Sequence, residues 1–148
     1  MNDLIKELYQ EIILDHGQDP RNFGECDPFN KSADGHNPLC GDNLKLTFLI
    51  NKDDIIEDIK FTGEGCAISL ASASILTETV KGKNLSFFKK INEDFLNMIK
   101  NKKKITINSL SEDQITTITS LSGVQEFPMR VKCATMAWHT CLSAVEKK

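Results

Sequence analysis

The apolar positions of the chain change period several times, and each change predicts an element. Over residues 3 to 14, Leu4, Ile5, Leu8, Ile12 and Ile13 recur at the spacing of one helix face. The stretch HGQDPRNFGECDPFN that follows is rich in Gly, Pro, Asp and Asn and predicts a loop. From 44 to 50 the pattern turns to alternation, with Leu44, Leu46, Phe48 and Ile50 on one side of a half-buried strand. NKDD marks a turn. IIEDIKF at 55 to 61 alternates again through Ile55, Ile59 and Phe61, with Glu57 interrupting the row, so the two runs read as a hairpin. DGHNPLC, upstream, carries a weaker strand signal.

After GEG the period becomes helical. Ile68, Leu70, Ala71, Ala73, Ile75 and Leu76, set among small residues, predict a tightly packed helix from about 66 to 80. Phe87, Phe88, Ile91, Phe95 and Ile99 predict the next. NKKKITIN is a polar break. SEDQ then fits a capping box, with Ser111 as cap and Gln114 reaching back, and opens a short helix to about Leu121. SGVQEFP reads as loop. Pro128 suits the first turn of a last helix that runs through 148, with Val131, Ala134, Trp138, Cys141 or Leu142, and Val145 as its buried stripe. The expectation is an α+β fold, a small antiparallel three-stranded sheet with helices packed mainly on one face. One domain is expected over 1–148, with residues 101–123 as a local elaboration.

Composition narrows the function. The 148 residues are 40% hydrophobic, enough for one real core. The net charge is −3 with both signs interspersed, which argues against a nucleic-acid partner, since that needs a basic face. No apolar run approaches the roughly 20 residues that cross a bilayer, so no membrane partner is expected. The first helix carries acids within its apolar pattern and lacks a signal-peptide cleavage site, so a cytoplasmic location is expected. In a reducing compartment the five cysteines read as metal ligands, reactive thiols or buried fillers rather than disulfides.

Spacing alone favours fillers, because Cys40, Cys66 and Cys133 are too far apart for paired zinc knuckles. Their local settings point the other way. Cys40 lies in a loop entering a strand, Cys66 follows Gly63 and Gly65 at a helix start, and Cys133 sits within two turns of Pro128. Helix N-termini favour thiolates. Asp42 adds an oxygen donor beside Cys40. Three thiolates and a carboxylate suit tetrahedral Zn²⁺ or iron, and with a dication the set keeps about two negative charges. Arg130, on the same helix face as Cys133, and Lys132 are plausible offsets.

NPLCGD, GEGCAISLASAS and FPMRVKCATMAWHT resemble the motifs of the iron–sulfur cluster assembly proteins of the IscU/NifU N-terminal superfamily, and LYQEIILDH with PRNFG resembles that family's first helix and loop. The resemblance spans nearly the whole chain and is strongest to the SufU-like branch. ISC-type scaffolds carry a histidine directly before the last cysteine, where this chain has Lys132. The stretch between Cys66 and Cys133 is also longer, matching a SufU-type insertion at about 101–123. The resemblance implies metal ligation by Cys40, Asp42, Cys66 and Cys133, usually of zinc, with Cys40 as sulfur acceptor and Arg130 in support. It implies a SufS-like, pyridoxal-phosphate-dependent cysteine desulfurase as partner and downstream iron–sulfur assembly proteins beyond it. The protein would then be a sulfur-transfer or scaffold protein rather than a stand-alone enzyme. Two alternatives are a scaffold that assembles a labile [2Fe–2S] cluster on the same ligands and a structural zinc module.

Plainer readings cover the other features. Cys141 reads as a buried small hydrophobe, Cys26 as an incidental thiol in a polar loop, and His16 as a helix C-terminal cap. His36 reads as a solvated loop residue and His139 as a rim residue. The G-x-G of GEG lacks the third glycine of a dinucleotide fingerprint.

Overall fold

A computed structural model describes residues 3–146. The order is α1 (Asp3–Gln18), β1 (Lys31–Asn37), β2 (Asp42–Ile50), β3 (Ile56–Glu64), α2 (Ala67–Val80), α3 (Leu85–Asn101), α4 (Glu112–Thr119), a 3-10 segment (Ser120–Glu126) and α5 (Pro128–Glu146). The strands form one antiparallel sheet ordered β1–β2–β3. The alternation read from the sequence sets its inner face: Leu44, Leu46 and Phe48 of β2 and Ile59 and Phe61 of β3 are all buried. Helix α5 packs against β1 and β2, and α2 against β3. Gly35 lies so close to α5 that a Cβ there would collide with Thr140 Oγ1. At the centre Trp138 stacks on Phe95, ring centroids 4.0 Å apart, and its Nε1–H donates to Ser72 Oγ at 2.9 Å. One side chain thus joins α2, α3 and α5.

The capping box forms as read, with Ser111 and Gln114 bonding each other's backbone N–H. Other readings shift. Helix α1 runs to Gln18, and its first half projects: Leu4 is 77% exposed, whereas Ile12 and Ile13 pack on the core. The weak strand signal resolves into β1, which stops before Pro38. Ile50 pairs with Ile56 and Leu49 with Asp58, so β3 holds one extra residue at Glu57. That bulge breaks the period of two, and Ile56 rather than Ile55 enters the core. The stretch after α4 is a 3-10 segment rather than open loop. Lys147 and Lys148, assigned to the last helix from sequence, lie outside the described residues.

Two of the plain readings are also overturned. Cys26 is buried, not incidental: its backbone N–H donates to Thr47 Oγ1 at 2.9 Å and its thiol to the Thr47 carbonyl at 3.3 Å. Thr47 points to the sheet face opposite the helices, and the 19–30 loop covers it there. His16 is buried rather than capping, its Nδ1 lying 2.7 Å from Ser74 Oγ on α2. No described helix is long and apolar enough to cross a membrane.

Candidate metal centre

The β1–β2 hairpin carries two of the predicted ligands. Asn37 and Asp42 face each other across the register, and residues 38 to 41 connect them. Pro38 favours the turn, the Cys40 N–H donates to the Asn37 carbonyl at 3.3 Å, and Gly41 reverses the chain with φ +71°, which glycine adopts without strain. Cys40 is therefore displayed on a tight turn, partly exposed, with Leu39 protruding beside it. Asp42 continues the inward row of Leu44, Leu46 and Phe48 and is fully buried.

Helix α5 supplies Cys133 from below. Its Sγ lies 3.1 Å from Cys40 Sγ, and the ligand atoms of Cys40, Asp42 and Cys133 all lie within 4.8 Å of one another. Cys66 stands at the edge of this group. It is the N-cap of α2, where its sulfur accepts from the Ser69 N–H at 3.5 Å, and its own backbone N–H donates to Asp42 Oδ1 at 2.9 Å. Gly65 permits this approach, because a Cβ there would fall 2.8 Å from Asp42 Oδ1. Of the four predicted ligands, three form the tight group and the fourth borders it through its side chain and its backbone. Arg130 is exposed in the first turn of α5, and Lys132 is exposed one residue before Cys133.

The electrostatics of the cluster are one-sided. Burial pushes the Cys133 thiol strongly up, and the neighbouring Cys40 and Cys66 side chains and the Asp42 charge act the same way. The nearby sulfurs of Cys133, Cys66 and Cys40 hold the Arg130 guanidinium more firmly protonated. No ion pair among the described residues includes Asp42. Its oxygens meet the Cys66 N–H and, at 3.4 Å, the Asn37 side-chain amide. A carboxylate withdrawn from water without a cation is costly, and a divalent ion would relieve both that charge and the crowded sulfurs. The residues therefore fit a thiolate–carboxylate metal site. His36, bonded to Asn43, and His139, 3.5 Å from Lys100 Nζ, lie outside the cluster.

Sequence reasoning passed over Asn37 and read Gly65 only as a glycine preceding Cys66 at the helix start. Asn37 had a readable signal, since it opens the turn that presents Cys40. The role of Gly65 depends on a close approach that only the fold shows.

The fold and site define a three-stranded α+β domain in which Cys40, Asp42 and Cys133 could hold a metal ion, with Cys66 bordering them. The chain belongs to the NifU-like N terminal domain family, which it matches over residues 8–134. It is 38% identical over 147 residues to the zinc-dependent sulfurtransferase SufU of Bacillus subtilis (strain 168), with 99% of this chain and 95% of that one covered. It is 34% identical over 143 residues to the iron–sulfur cluster assembly scaffold protein IscU of Streptococcus pyogenes serotype M1, with 97% and 86% covered. Among solved structures it is similar to a candidate iron–sulfur cluster assembly scaffold protein for the SUF system from Fervidobacterium islandicum AW-1. The TM-score there is 0.81 at 32% identity, over 95% of this chain and 98% of that one.

Proposed function

We propose that this protein is a zinc-dependent sulfur carrier of iron–sulfur cluster biogenesis. In this reading it accepts persulfide sulfur on Cys40 from a SufS-like, pyridoxal-phosphate-dependent cysteine desulfurase and passes it to downstream assembly proteins. One observation carries the reading: within a single cluster Cys133 and Asp42 are buried while Cys40 is partly exposed on a glycine-hinged turn. Two groups are fixed and one can leave. The similarity to SufU and the lysine at position 132 support transfer over cluster assembly.

Cys40, Asp42, Cys66 and Cys133 would hold the ion. When bound, zinc keeps the thiolates deprotonated and shields them from oxidation. The remaining chemistry belongs to the chain. Cys40 swings outward on its turn and its thiolate attacks the outer sulfur of the partner's persulfide. The persulfide S–S bond breaks, a new S–S bond forms on Cys40, and the partner's cysteine leaves as thiolate. The outer sulfur carries its proton with it, and no net oxidation occurs. Arg130, already drawn to these sulfurs, offsets their negative charge.

Similarity to IscU supports a second reading, a scaffold for a labile [2Fe–2S] cluster on the same residues. Metal and sulfide analysis of anaerobically purified protein, with a desulfurase stimulation assay, separates the readings. Bound zinc with stimulation supports transfer; iron, sulfide and a visible chromophore support the scaffold; zinc without stimulation leaves a structural module. Cys40→Ala is expected to abolish stimulation and leave the fold intact. Normal sulfur acceptance by that variant would overturn the assignment of Cys40.

A further inference from the structure

We infer that Asn37 is the positioning residue of the metal centre, holding three of its four ligands in place. This rests on the metal reading above, and the two can fail separately.

Asn37 reaches each of the three. Its backbone carbonyl accepts from the Cys40 N–H at 3.3 Å, which closes the turn that displays the sulfur acceptor. Its side-chain Nδ2 donates to Asp42 Oδ2 at 3.4 Å and to Cys133 Sγ at 3.7 Å. The residue is buried, 6% exposed, and lies directly across the sheet from Asp42. The chemistry fixes the orientation of its amide. An ionised carboxylate only accepts, so the nitrogen and not the oxygen must face Asp42.

The division of labour around Asp42 follows. Cys66 N–H holds Oδ1 and Asn37 holds Oδ2, so the carboxylate is restrained from both sides. The same amide links it to Cys133, which comes from a helix almost a hundred residues later in the chain. Hydrogen bonds of this kind orient ligands, and one donated to a thiolate also draws charge from its sulfur. Asn37 therefore does two things for a bound ion. It reduces the freedom that the site must lose on binding, and it makes Cys133 a weaker, less basic donor. Asn37 holds Cys40 only through the backbone, which leaves the Cys40 side chain free of this amide.

The test compares wild type with Asn37→Ala and Asn37→Asp. Both keep the backbone bond to Cys40. The aspartate also keeps the side-chain shape but replaces a donor by a negative charge. Zinc affinity is read by competition with a chromophoric chelator. The cobalt-substituted proteins are read by the sulfur-to-cobalt charge-transfer band, which reports the donor strength of the thiolates. The expected result is zinc binding weakened about 10- to 100-fold in Asn37→Ala, with the charge-transfer band displaced in both variants. The metal-free melting temperature of Asn37→Ala should fall, because Asp42 Oδ2 loses its donor; the cobalt band, which a purely structural role would leave alone, separates positioning from stability. Zinc affinity within about threefold of wild type in both variants, with an unmoved cobalt band, would overturn the role of Asn37 and leave the metal site standing. A wild-type chain that binds neither ion would overturn the metal reading itself.

Discussion

The backbone N–H of Cys66 donates to Asp42 Oδ1 over 2.9 Å, tying the first residue of β2 to the cap of α2. That bond satisfies one lone pair of a fully buried carboxylate, and no cation of the described chain pairs with it. The site therefore stores an electrostatic cost when metal is absent.

Asp42→Asn tests that cost. The amide keeps the shape and the acceptor for the Cys66 N–H, and the Asn37 amide can turn its oxygen toward the new NH₂. In the metal-free chain the variant should be at least as stable as wild type, since it removes a buried charge that no cation pairs and keeps the acceptor for the Cys66 N–H. With zinc present the order should reverse, because the variant has lost a ligand and the gain that binding gives the folded state. Paired thermal melts with chelator and with zinc provide the measurement. A variant less stable than wild type in both conditions would mean that the carboxylate is already compensated within the chain.

The core offers a second test at Ser72. Its hydroxyl accepts from Trp138 Nε1–H and donates to the Ala134 carbonyl, and all three residues are buried. Ser72→Ala leaves the indole N–H without a partner, at a cost of about 1–3 kcal/mol. For a chain of this size that lowers the melting temperature by several degrees, at about 2–4 °C per kcal/mol. A shift in the tryptophan emission maximum should accompany it. An unchanged melting temperature would mean that water or another group reaches the indole.

Much of this architecture was legible because burial imposes a period. The alternation through Leu44, Leu46 and Phe48 set the central strand and its inner face. That periodicity starts at Leu44 and puts Asp42 in the loop before it; the strand in fact begins at Asp42, which continues the same inward row as a buried carboxylate. The setting of Cys66 at a helix cap and of Cys133 near Pro128 could be read the same way, from local turn and cap chemistry. The bulge at Glu57 was not legible, because a single inserted residue is a property of pairing with Ile50 and not of β3 alone. Cys26 misled for a related reason. Its neighbours are polar, and only the contact with Thr47, on the far face of the sheet, buries it. His16 ends α1 and looked like a cap until α2 covered it. These contacts lie far apart in the chain, and local pattern carries no information about them.

His16 gives the last prediction. Its Nδ1 lies 2.7 Å from Ser74 Oγ, which also accepts the Arg21 backbone N–H at 2.8 Å. Burial lowers the pKa of this imidazole below its ordinary 6.5, and the Arg21 charge adds to the effect, against smaller opposing contributions from Glu78 and Asp15. The ring is therefore neutral in the fold, and the Ser74 hydroxyl can donate to Nδ1. Unfolding restores the ordinary pKa, so below it the unfolded chain binds the extra proton. The stability tied to a neutral His16 is thus complete above pH 6.5 and is lost as the pH falls through 6.5 toward the lower folded value. His139, lowered by burial and by Lys100, contributes a slope of the same sign. His16→Gln removes only its own share. Urea midpoints of the metal-free chain, measured above and below pH 6.5, should fall on acidification in both proteins, and less in the variant. The metal-free form is needed because metal ligation is itself proton-linked. Equal losses in the two proteins would show that His16 titrates normally and that α2 does not hold it neutral.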